Sequence, residues 1–259
     1  MIRLLEKLLY CNIKASDIFK KISDDDTQKR TLEYFKADIL PKCNKNNDGT
    51  YSYNGSDGLN FYDIKFNKFP VKFKRVNGYF LCAHCGLTTL EGCPEWIRGY
   101  FDCSDNKLTS LVGGPYYAGY TYNCSFNKLT TLEGAPNKAH HIFDCSHNNL
   151  TSLKGAPAQI ASNFNCSVNK LKTLEYGPTQ VDGYYDCSHN QLTTLKGSPK
   201  YVKYNFYCGD NQLTSLDAAP DKVNGILYCS GNPFKDLNKI DKQVNYRVVC
   251  TVLKRRKND

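Results

Sequence analysis

FDCSHNNLTSLKGAPAQIASN, residues 143–163, is followed at once by FNCSVNKLKTLEYGPTQVDGY, residues 164–184. The second stretch repeats the first position by position. An aromatic opens it, Cys stands two later, Asn three beyond the Cys, Leu five and eight beyond it, and Pro twelve beyond it. Working outward, the same Cys recurs at Cys82, Cys103, Cys124, Cys145, Cys166, Cys187, Cys208, Cys229 and Cys250, every 21 residues without insertion or deletion. A fixed period of this length is the mark of a repeat architecture and has to be read before any single motif.

The other columns fill in the unit. Phe80, Phe101, Tyr122, Phe143, Phe164, Tyr185, Phe206, Leu227 and Val248 precede the Cys by two. The Asn column runs Asn106, Asn127, Asn148, Asn169, Asn190, Asn211 and Asn232, with Cys85 breaking it in the first intact coil. An aliphatic closes the unit at Ile97, Ile160, Val181, Val202, Val223 and Val244. Residues two apart share one face of a strand, so Phe and Cys point into a core and the residue between them points out. Leu, Leu, Gly and Pro then make a tight return. One such unit cannot bury its own apolar side, and stacking the units solves this by building a parallel sheet over a continuous core. The Asn amide both donates and accepts, so it can join the turn of its own coil to the next.

The F-x-C-x-x-N-x-L-x-x-L core resembles the leucine-rich repeat family, with Phe and Cys in the first two Leu positions. It is most similar to the short repeats of bacteria and their phages that carry N-L-T-S-L-x-G-x-P. The resemblance covers residues 59–253. It implies an α/β solenoid with one short parallel strand per 21-residue coil, about ten coils in all. It also implies a role in binding protein without fixing the partner, and its phage company points to a host factor in the host cytoplasm.

Around the intact coils, about 79–233, a degenerate first coil is read at 59–78 from Leu59, Phe61, Phe66, Phe69 and Val76. Residues 1–58 are expected to form a helical cap plus a hairpin. Leu5, Leu8 and Leu9 mark one helix, Ile18, Phe19 and Ile22 a second, and Leu32, Phe35 and Ile39 a third that ends at Pro41. The alternation TYSYNG at 50–55 closes on Asn-Gly, a hairpin signal. Residues 254–259 are a basic tail.

Thirteen cysteines would suggest disulfides in a secreted chain, but their spacing points to small buried hydrophobes. A ladder of unpaired thiols fits a reducing, cytoplasmic compartment. The N-terminal MIRLLEKLLY carries charges where a signal peptide needs an unbroken apolar run. No stretch approaches the roughly 20 apolar residues of a membrane span. Cys82, His84, Cys85 and Cys93 raise a zinc alternative, set against the membership of Cys82 in the buried column. Neither a metal nor a cofactor is therefore expected. Cys11 and Cys43 lack a nearby His to activate them, and no phosphate loop, metalloprotease helix or carboxylate pair appears, so no catalysis is expected.

Charge narrows the partner. Residues 1–78 hold 15 cationic and 10 acidic side chains, residues 79–233 hold 11 and 12, and residues 234–259 hold 8 and 3. The solenoid is neutral and lacks the basic stripe of a nucleic-acid binder. Weak, salt-sensitive attraction of the basic ends to nucleic acid or an acidic surface is the alternative reading. The expected working surface is the open face of the sheet, where a protein would meet Tyr79, Tyr100, Asp102, Asn123, Ile142, Asp144, Asn165, Tyr184, Asp186, Tyr207 and Tyr228, beside a row of Ser.

Overall fold

Residues 24–235 and 246–250 are described by the structure, a computed structural model. The expected helices at 5–9 and 18–22, the closing position Val244, and the basic tail lie outside the described residues.

A ten-stranded parallel sheet runs the length of the molecule, one strand per coil from Gly58–Asn60 to Val248–Val249. Its register is the sequence period itself, with Phe101 beside Tyr122, Phe143 beside Phe164 and Asp144 beside Asn165. The strand amides donate to the following coil, Phe143 N to Asn163 O at 2.9 Å and Cys145 N to Asn165 O at 2.8 Å. Phe143, Cys145, Leu150 and Leu153 are fully buried, and the same holds coil after coil. The core aromatics form a stack through the solenoid, with centroids 4.9 to 6.3 Å apart from Phe80 to Phe206.

The return path carries more order than its sequence announces. The coils from Trp96–Ile97 to Lys222–Val223 each hold a second two-residue strand at the closing position, such as Gln159–Ile160 or Gln180–Val181, and the first coil holds a longer one at Phe73–Val76. These strands pair in parallel across the back. The back ladder is split in two, between Tyr117–Ala118 and Lys138–Ala139. The buried Pro column stands just before it, where the missing N–H costs the ladder nothing.

The Asn column links coils, to the preceding coil rather than the next. Asn148 Nδ2 donates to Cys145 O of its own coil and to Cys124 O of the coil before, both at 3.1 Å. Its Oδ1 accepts from Leu129 N at 3.0 Å. Cys85, in the same column, gives its thiol proton to Phe61 O at 3.0 Å. The irregularity expected there is the lost acceptor together with the lost donation to Cys82 O of its own coil, and the amides of Cys85 and Gly86 turn to Asn106 Oδ1.

Seven ladder cysteines, from Cys82 to Cys208, are free and buried. The last rung departs from the expectation of unpaired thiols, since Cys229 and Cys250 are joined by a disulfide. Their Cα atoms lie 4.8 Å apart, the spacing of neighbouring strands, which falls within disulfide range.

At the N-terminal end, helix α1 (Asp24–Tyr34) passes into a π turn at Phe35–Ile39. Phe35 is fully buried and stacks on Phe61 at 5.0 Å, within a cluster of Phe66, Phe69 and Phe73. The end of the core is closed by these rings. The hairpin is present, but one step upstream of the Asn-Gly signal. Strands β1 (Asn44–Lys45) and β2 (Tyr51–Tyr53) pair antiparallel, and the chain reverses at Asp48 and Gly49, where Gly49 has φ +80°. Asp48 Oδ1 accepts from both Thr50 N and Thr50 Oγ1, and Oδ2 meets Lys74 Nζ at 2.8 Å. These contacts hold its carboxyl below the usual carboxylate range.

Two coils replace the core Phe with Tyr, and in both the packing partner has shrunk. A Cβ on Gly114 would lie 3.0 Å from the Tyr122 hydroxyl, and one on Gly177 3.2 Å from that of Tyr185. Neighbouring coils keep Ala135 and Ala156 at the equivalent position, facing Phe143 and Phe164. Gly thus makes room for one oxygen. That oxygen of Tyr122 is buried without a hydrogen-bond partner. Tyr122→Phe is therefore expected to raise stability by about 1 kcal/mol, the order of an unsatisfied buried hydroxyl. Urea denaturation would measure it, and a destabilised variant would contradict the assignment.

Candidate functional site

The front of the sheet is built from the residues that alternate with Phe and Cys. Tyr79, Asp102, Asn123, Ile142, Asp144, Asn165, Tyr184, Asp186, Tyr207 and Tyr228 lie there half-buried, and Tyr100 is 52% exposed. They do not form one patch. Tyr207 and Tyr228 stack at 4.9 Å, and Tyr184 meets Tyr207 edge-on at 6.1 Å. Asn205 Nδ2 donates to the Tyr207 hydroxyl at 2.8 Å. Burial, and then the charges of Asp144 and Asp186, push the Tyr184 hydroxyl above its ordinary value. Tyr100 stacks instead on Tyr120 at 5.2 Å. Four coils separate it from Tyr184, roughly 19 Å at strand spacing.

The Asp and Asn row between the two aromatic groups is largely engaged in its own turns. Asp144 Oδ1 accepts from Ser146 N at 2.9 Å and from Ser146 Oγ at 2.7 Å. The same pair recurs at Asp102, Asn123, Asn165 and Asp186. Ser125, Ser146 and Ser167 are buried, so in these coils the Ser row belongs to the turn rather than to an open surface. Along the row, Asn165 Nδ2 donates to Asp144 Oδ2 at 3.2 Å. The row is therefore a rigid, mildly acidic strip.

One column went unread in the sequence. The residue two beyond each ladder Cys takes the left-handed conformation, from His84 at φ 57° to Asp210 at φ 51°. This conformation suits Asp, Asn, His and Gly, yet the column also holds Phe126 and Val168, both at φ 53°. His84 contacts Asp105 through Nδ1 and lies 3.5 Å from Asp63 through Nε2. It is exposed while Cys82 is buried, so the Cys-x-His-Cys motif does not converge. Among the described residues no group of three or more His, Cys, Asp or Glu could hold a metal ion. Cys43 gives its thiol proton to Ile39 O, and burial pushes its pKa up to about 11. It is a neutral thiol at physiological pH, and Cys11 lies outside the described residues. No helix among the described residues is long and apolar enough to cross a membrane.

No protein-family model matches the chain, and no curated protein sequence does. Among solved structures, the chain is similar to the functional domain of InlJ from Listeria monocytogenes, described as including a cysteine ladder. The identity is 22% and the TM-score 0.40, over 71% of this chain and 48% of that one, so the chain spans about half of its length. It is also similar to YopM from Yersinia enterocolitica, at 13% identity and TM-score 0.24, over 90% of this chain and 72% of that one. By its 21-residue period and its coordinates, with one front strand per coil and Asn bridges from Asn106 to Asn232, the chain has the leucine-rich-repeat solenoid fold.

Proposed function

We propose that the chain is a non-catalytic protein-interaction module that holds its partner on the front of the sheet. The observation that carries this reading is the cluster of Tyr184, Tyr207 and Tyr228. Two stacked rings and a third edge-on to them stand on a rigid parallel sheet, outside the core, in the coils that begin at Asp186's own. Solvation alone does not call for such a cluster. Tyr offers large contact area and a hydroxyl at little entropic cost, which is why it dominates binding hot spots. The acidic strip suits Lys or Arg on the partner. The resemblance to phage-encoded repeats favours a host protein, one whose activity the solenoid would block or redirect.

The test is a quantitative pull-down from bacterial lysate, comparing the chain with a Tyr184→Ala, Tyr207→Ala variant of unchanged circular dichroism. Two hot-spot truncations of about 2 kcal/mol each should cut capture of a specific protein by well over a hundredfold in affinity. Equal capture by the folded variant would move the site off this face. Recovery of nucleic acid alone, lost at moderate salt, would replace the proposal with attraction to the basic ends.

A further inference from the structure

The left-handed column described above divides into three parts along the solenoid. At the N-terminal end His84 meets both Asp63 and Asp105. At the other end His189 pairs with Asp210 at 3.5 Å. The middle holds Phe126, His147 and Val168 on consecutive coils. Phe126 lies flat on His147, with centroids 4.0 Å apart and planes 9° apart. Phe126 is 53% and Val168 36% exposed.

Two features of this middle part need a cause. A β-branched residue in the left-handed region is a genuine backbone outlier, and a bulky aromatic there is uncommon. The strain gains no core packing, because both side chains face solvent. Backbone strain retained without a packing return clusters at binding surfaces. The flanking column supplies the charge. Lys107, Lys128 and Lys170, four beyond their ladder cysteines, are exposed. Among the described residues none of the three forms an ion pair. On the opposite corner of the coils, by contrast, Lys154 and Lys196 are neutralised by Glu133 and Glu175. From Phe126 to Val168 the column carries no carboxylate, and Asp105, one coil before Phe126 and in the coil of Lys107, is engaged by His84.

We infer that the ridge of Phe126, His147 and Val168 is a second docking surface, for an acidic protein segment that carries an apolar anchor. The anchor would seat against Phe126 and Val168, and its flanking carboxylates would meet Lys107, Lys128 and Lys170. The ridge from Phe126 to Val168 spans two coil steps, roughly 10 Å, or about three extended residues. This surface does not depend on the front-face reading, since it lies on the turns beyond the strands.

The experiment uses the full chain and fluorescent dodecapeptides. One probe sets Asp and Glu around a Phe and a Leu, a second replaces that Phe and Leu with Ser, and a third is a single-stranded thymidine 12-mer. The first probe should bind at micromolar concentration and more tightly than the others. Phe126→Asn keeps a residue that tolerates the left-handed turn, so it should raise the thermal midpoint while weakening the first probe at least tenfold. Lys128→Glu should weaken it similarly, and Tyr207→Ala should leave it unchanged. Several outcomes overturn the inference: no binding of the first probe at 1 mM, equal binding of the Ser control, preference for the oligonucleotide, or a Phe126→Asn variant that is less stable or binds as before.

Discussion

Raising the pH from 8 to 11 under reducing conditions is expected to unfold the solenoid, with a midpoint near pH 10. Among the described residues nine free cysteines are buried, the seven ladder positions from Cys82 to Cys208 together with Cys85 and Cys93. Burial holds each of these thiols above its ordinary value. In the unfolded chain a thiol ionises near pH 8.5 to 9. The native state therefore keeps protons that the unfolded state releases, and stability falls as pH rises past the unfolded value. Below it the contribution is fully present. One unit above it each thiol costs about 1.4 kcal/mol, roughly a dozen kcal/mol for nine, which matches the whole stability of an ordinary domain. The buried Tyr122 and Tyr185 hydroxyls, also raised by burial, add to the effect above pH 10. A circular-dichroism titration measures it, and a signal unchanged to pH 11.5 would refute it. Replacing Cys103, Cys124 and Cys145 with Ala should move the midpoint upward even though each loses a sulfur from the core.

How much of this was legible in the sequence follows from what period can carry. The ladder, the Asn column and the front sheet repeat at fixed positions, and both register and burial follow from the spacing alone. The back strand did not announce itself, because two residues such as Gln159 and Ile160 show no alternation to read. The hairpin turn was misplaced because both Asn54-Gly55 and Asp48-Gly49 carry a turn signal, and the ladder pairing of Asn44 with Ser52 selects the second. The front face was legible only in part. Column position shows that Asp144 points outward, but its binding of Ser146 depends on a turn that backbone coordinates reveal. The ridge was visible in principle. Phe126 and Val168 interrupt a column of Asp and His, but that column acquires meaning only once its φ is known.

The largest loss from a single side chain is expected for Asn148→Ala, at about 4 kcal/mol. Asn148 is 8% exposed. Its amide donates to Cys124 O, Cys145 O and Ser146 O, each at 3.1 Å, and accepts from Leu129 N. Alanine leaves the Leu129 N–H buried without a partner, at roughly 1 to 3 kcal/mol, and removes the amide donations, at about 1 kcal/mol each, while Cys124 O, Cys145 O and Ser146 O keep one donor each in Asn127 Nδ2, Asn169 Nδ2 and Phe126 N. The position of Cys85 shows how a coil survives without this Asn. There the thiol keeps the donation to the preceding coil, and the orphaned Phe66 N turns to Cys85 O at 3.0 Å. That repair is made in the coil next to the aromatic cap, and alanine shares its backbone carbonyl but lacks its thiol donor. Asn148→Asp separates the hydrogen bonds from packing. It preserves shape and the acceptor for Leu129 N, but sets carboxylate oxygens against carbonyls. It should be at least as damaging as alanine. Because each coil touches only its neighbours, the damage should be local in origin. Native-state hydrogen exchange should lose protection first at Leu129, Lys128 and Cys145, before the terminal coils open. A cost under 1 kcal/mol for Asn148→Ala would mean that the ladder amides are replaceable by water, and that apolar stacking alone holds the coils in register.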